Sequence, residues 1–206
     1  MMFEQIFKEQ LATLTKDLPL IEKLWSEIQH QYSKPERHYH NLSHLNALVA
    51  SLSNVFDKIN NWQSLMMAVA YHDIVYNVLK NNNEEQSAKL AAERLEQLGL
   101  PQNSIAHCCA QIIATKGHIE SNNQDTNYFI DADLAIFGST PEAYKHYTHL
   151  IRKEYRYYPD LIYKPGRRKV LQHFVAMPRI YKTDYFYERF EYQARINLHH
   201  ELKSLS

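Results

Sequence analysis

Four side chains able to bind metal or move protons sit in this sequence where a helical protein would otherwise put hydrocarbon. His72-Asp73 lies in the most apolar stretch of the chain, Ser64 to Tyr76. On a helical wheel His72 falls among Leu65, Ala68, Val69 and Tyr76, and Asp73 near Met66 and Val69. A carboxylate there is costly unless it is paired or binds a cation. A buried His–Asp pair with a purely structural role is the plain alternative. Asp131 and Asp133, two apart on a helix, point in different directions. Asp133 falls between Phe129, Ile130, Ile136 and Phe137, the middle of an apolar face, and Asp131 near Asn127, Ala135 and Gly138, a thinner one. The wheel therefore predicts Asp133 as the buried carboxylate needing a cation and Asp131 as an accessory or surface group. In Tyr39-His40-Asn41-Leu42-Ser43-His44 the two histidines stand at i, i+4, with His44 at the edge of an apolar face beside Leu48 and Val55. His44, His72, Asp73 and Asp133 on three core-facing helices would make an octahedral site with open water positions. Such a set accepts one divalent ion, whether Mg, Mn, Fe, Co, Ni or Zn.

The elements that must carry these residues are helical. Phe3, Phe7, Leu11 and Leu14 recur on one helix face, and Leu45, Leu48, Val49, Leu52 and Val55 on another. Periodicity and capping residues predict helices over about 3–14, 19–32, 42–59, 64–76, 84–98, 102–116, 126–138, 141–156, 167–181 and 184–203. Pro35 breaks the chain, and Gly99 followed by Pro101 closes the fifth helix. No strand, repeat or linker stands out. The expectation is one all-α domain over 1–206, a bundle of eight to ten helices, with the helices of 1–34 packing on a core at about 37–200.

Composition narrows the function. Lys+Arg and Asp+Glu are 23 each, so a general nucleic-acid coat, which needs excess cations, is excluded. Only 4 glycines occur in 206 residues, too few for a P-loop or a dinucleotide fingerprint. The cysteines, Cys108 and Cys109, are adjacent and form no CxxC, which suits a reducing compartment. The stretch up to Lys16, interrupted by Glu4, Lys8 and Glu9, does not read as a signal peptide. The longest apolar run, Leu65 to Tyr71, is far short of a membrane span. A cytoplasmic protein with no membrane and no nucleic-acid polymer as partner is expected. From Lys145 to Lys182 ten Lys/Arg stand against Glu154 and Asp160. Solvated helix faces are the plain reading of that run; a basic wall for an anionic substrate is the sharper one.

The order His44, then His72-Asp73, then Asp133 resembles the H…HD…D signature of the HD-domain superfamily of metal-dependent phosphohydrolases. It resembles most a bacterial group of predicted HD phosphohydrolases of unknown substrate. The stretches that carry the likeness are RHYHNLSHL (37–45), AVAYHDIVY (68–76), NNEEQSA (82–88), IIATKGH (112–118), FIDADLAIFG (129–138), GRRKVL (166–171) and YERFEYQARINL (187–198). The resemblance implies an HD-type helical bundle with His44, His72, Asp73 and Asp133 as metal ligands. The Tyr-His-Asn-x-x-His form is similar to that of cyclic-nucleotide phosphodiesterases, which implies His40 as general acid and His44 as ligand. Two-metal HD enzymes carry further ligand histidines after the HD. None follows here until His107, so one metal is implied. Glu84 and His118 stand where related proteins have accessory polar residues. The expected reaction is hydrolysis of a small phosphorylated substrate, such as a nucleotide, with Asp73 orienting or deprotonating the attacking water. Lys116, Arg167 or Arg168 would neutralise the remaining phosphate charge. A non-catalytic metal- or nucleotide-binding signalling module and a di-iron HD-type oxygenase are the rival expectations.

Overall fold

The computed structural model describes residues 2–205; Met1 and Ser206, the two ends of the expected domain, lie outside them. Ten α-helices and two short 3-10 helices, with no strand, make up the described residues: α1 (Phe3–Leu14), α2 (Leu18–Tyr32), α3 (Leu42–Ser53), α4 (Trp62–Tyr71), α5 (Asn83–Gln97), α6 (Gln102–Ala114), α7 (Gln124–Asp133), α8 (Pro141–Glu154), α9 (Asp160–Ala176) and α10 (Asp184–Ser204). No described helix is long and apolar enough to cross a membrane. The chain divides into two compact units, Met1–Ile130 and Asp131–Ser206. The division falls inside α7, so no Gly-, Ser- or Pro-rich stretch marks it in the sequence.

In Met1–Ile130, α4 is the central element: every residue from Ser64 to Tyr71 is buried. It packs on α1, α3, α5 and α6. The N-terminal helices pack on each other through Phe3 and Phe7, whose rings meet Trp25 of α2, and α1 joins the core by packing on α3 and α4. Asp125, in the first turn of α7, accepts from the Asn60 and Asn61 backbone N–H groups at 2.9 and 2.8 Å. That carboxylate ties the start of α7 to the start of α4. Gly99 closes α5 with φ at 73°, a conformation that side chains with a Cβ resist. In Asp131–Ser206, α10 packs on α9 and on the 3-10 helix Leu134–Gly138. The approach is close: a Cβ on Gly138 would lie 2.5 Å from the Phe190 Cβ. Asn197 donates to the Phe137 and Ser139 carbonyls at 2.8 and 2.9 Å and closes that 3-10 helix.

Several helix ends differ from the periodicity. The helix expected over 64–76 stops at Tyr71, with His72 as its C-cap. Beyond it the Asp73 and Val75 N–H groups, which a longer helix would direct at the Val69 and Tyr71 carbonyls, donate instead to the Tyr32 hydroxyl and to Ser87 Oγ, distant groups that no local pattern reveals. The helix expected over 42–59 ends at Ser53, and Phe56–Lys58 is a separate 3-10 turn. α7 ends at Asp133, where the backbone tightens into 3-10 geometry. α9 starts seven residues before the expected 167, with Pro165 inside it. Proline removes the bond to the carbonyl four residues back. Here that carbonyl belongs to Leu161, which is 90% exposed, so solvent limits the cost.

Candidate metal centre

The site residues sit at helix ends, and local chemistry explains why. Asn41 caps α3 by accepting from the Ser43 N–H at 2.8 Å, and its amide donates to the His38 carbonyl at 3.0 Å. This places His44 in the first turn of α3, 5% exposed. His72 caps α4 and is 1% exposed. Its Nδ1 lies 2.9 Å from the Val69 carbonyl oxygen. A carbonyl can only accept, so Nδ1 carries the hydrogen and Nε2 of the neutral ring presents a lone pair. The Phe129 ring of α7 meets the His72 ring edge-on at 5.6 Å and fixes its plane.

That Nε2 faces two other groups of metal-ligand type. His44 Nε2 lies 3.3 Å away and Asp73 Oδ2 3.2 Å away. Lone pairs converging at such separations repel unless a proton or a metal cation stands among them. A divalent ion held by nitrogen and oxygen at about 2.0–2.2 Å sets neighbouring donors roughly 3 Å apart. The 3.3 Å between the two imidazole nitrogens is close to that spacing. Among the described residues, His44, His72 and Asp133 form a group that could hold a metal ion, their ligand atoms all within 4.8 Å of one another. Asp133 is the last residue of α7, one helical turn beyond Phe129 and therefore on the same helix face. His40 lies one step further out. Its Nε2 is 4.0 Å from Asp73 Oδ2, and its ring packs on Tyr76 at 4.4 Å.

The two aspartates of α7 reverse the expectation from the wheel. Asp131 is the fully buried one, while Asp133 is partly exposed. Asp131 accepts from the Lys182 N–H, the Thr183 N–H and the Thr183 hydroxyl, each at 2.7 Å. Burial pushes its carboxyl up to about 6, against the downward pull of these three donors. Its work is to hold the segment that opens α10. Those donors come from some fifty residues downstream, beyond the reach of a helical wheel.

The expected substrate residues fall in both units. Lys116 donates to Glu85 at 2.5 Å and to the Asn81 carbonyl at 2.7 Å, with Glu84 3.8 Å away. These three charged groups form one cluster at the start of α5. His118 is buried and has φ at 51°, the one positive value outside glycine among the described residues. Arg167 and Arg168, expected to neutralise phosphate, both have protein partners. Arg167 is buried and pairs with Glu201 at 2.8 Å, and Arg168 donates to the Leu205 carbonyl at 2.6 Å. Two more arginines of the basic run are paired within the same unit, Arg152 with Asp160 and Arg179 with Asp184. Sequence reasoning passed over Arg37, which lies in the RHYHNLSHL stretch and donates to the carbonyls of His40, Asp73 and Ile74. An arginine three residues before His40 was the only signal. No protein family, curated protein or solved structure matches the chain.

Proposed function

We propose that this protein is a metal-dependent phosphohydrolase of the HD superfamily, acting on a small phosphorylated substrate such as a nucleotide. The observation that carries the reading is the grouping of His44, His72 and Asp133, whose ligand atoms all lie within 4.8 Å of one another, with Asp73 Oδ2 3.2 Å from His72 Nε2 and the His72 tautomer set by Val69. The ordered H…HD…D motif supports the family. His44, His72 and Asp133 would hold one divalent ion, with Asp73 at its edge. When bound, the ion supplies Lewis acidity to a phosphoryl oxygen and acidifies a water. Asp73, partly exposed, accepts the proton of the attacking water or orients it. His40 stands close enough to Asp73 for its protonated ring to be stabilised there, and it hands its proton to the leaving oxygen.

One observation favours the rival, a metal-binding module without turnover: the proposed phosphate cations Arg167, Arg168 and Lys116 are each engaged by protein groups. A screen of phosphomonoesters and nucleotides, run on protein reloaded with each divalent metal, separates the two. Hydrolysis abolished by His72→Ala supports the enzyme. Stoichiometric metal with no turnover across the panel would favour the module.

A further inference from the structure

Arg37 is 5% exposed and makes no ion pair among the described residues. Its guanidinium is held by carbonyl oxygens instead. Nη1 donates to Asp73 at 2.6 Å and to His40 at 3.2 Å, and Nη2 donates to Ile74 at 2.8 Å. The rings of Tyr32 and Tyr76 flank it at 4.7 and 5.4 Å. Tyr32 also touches the same peptide from its other end, its hydroxyl accepting from the Asp73 N–H at 3.2 Å. Asp73 is thus clamped at both N–H and C=O, immediately after α4 ends. The cation sits at the negative end of the α4 dipole, where it is favoured.

We infer that Arg37 is a positioning residue of the metal centre. It joins the two segments that carry the chemistry, the turn of His40 before α3 and the turn of His72-Asp73 after α4. A planar fork spans two successive carbonyls and a third from another segment; a lysine ammonium, a single point charge, does not. The inference rests on the metal reading above, and it assigns a role that the ligand motif does not contain.

The test uses the full chain and Co²⁺ or Mn²⁺ alone as probe. Wild-type protein is titrated first, and failure to bind either ion there overturns the metal reading and this inference with it. Given wild-type binding, Arg37→Lys should bind the ion about 10–100-fold more weakly, the usual effect of losing a group that orients ligands. In the metal-free variant, amide exchange should accelerate at His72–Ile74 while Leu45–Leu52 and Leu65–Val69 stay protected. Arg37 lines a cleft of about 270 Å³ with Tyr32 and Asn41. Millimolar guanidinium should therefore reach the space in Arg37→Ala and restore metal affinity. Tyr32→Phe keeps the ring and removes only the hydroxyl, so it serves if the arginine variants fold poorly; a several-fold loss of affinity is expected. A lowered thermal midpoint with unchanged metal affinity in the folded variants would show a merely structural role and overturn the inference.

Discussion

At the scale of single residues, His40 and His44 are four apart in the chain, and the proposal gives them different jobs. His44 Nε2 faces His72 Nε2, whereas His40 reaches only towards Asp73. His44→Ala should lose the metal. His40→Ala should keep it and lose rate by ~10²–10⁴-fold, the usual cost of a missing general acid. The loss should shrink for a nitrophenyl phosphate, whose leaving group hardly needs a proton. Equal slowing on good and poor leaving groups, with metal retained, would argue for substrate positioning instead. The aspartates of α7 divide in the same way. Asp133→Asn should lose metal with little change in thermal midpoint. Asp131→Asn should keep metal and lose about 1–3 kcal/mol of stability, because an amide cannot accept well from three donors at once. Metal content and thermal midpoint, measured on both variants, would show a wrong assignment as a reversed ranking.

At the scale of elements, what matters is how ends are fixed. Apolar periodicity made the helices themselves legible: the buried positions Phe3, Phe7 and Leu11, or Leu45, Leu48 and Leu52, are those that the 3.6-residue repeat selects. The ends were less legible, because distant groups set them. Arg37 takes the carbonyls beyond Tyr71, and Asp131 holds the N–H groups before α10. Gly138 is a third such point, since α10 crosses the 3-10 helix with Phe190 against its Cα. Gly138→Ala should force Phe190 and its backbone aside and cost about 1–3 kcal/mol, as overpacking typically does. A denaturant midpoint within error of wild type would mean that the crossing is loose.

At the scale of the molecule, the all-α class and the grouping of His44, His72 and Asp133 were readable from sequence, because imidazoles and carboxylates inside apolar helices are conspicuous. The contrast between Asp131 and Asp133 was not, nor was the engagement of Arg167 by Glu201, since both depend on partners far along the chain. A division into two units inside a continuous helix also leaves no compositional trace. The central claim is that a divalent ion is bound by His44, His72 and Asp133. Its most direct test is the metal-to-protein ratio of purified protein, stripped with chelator and reloaded, compared between wild type and His72→Ala. One tightly bound ion per wild-type chain and none in the variant is the predicted result; a wild type that takes up no ion, or a His72→Ala protein that keeps a full equivalent, would contradict it.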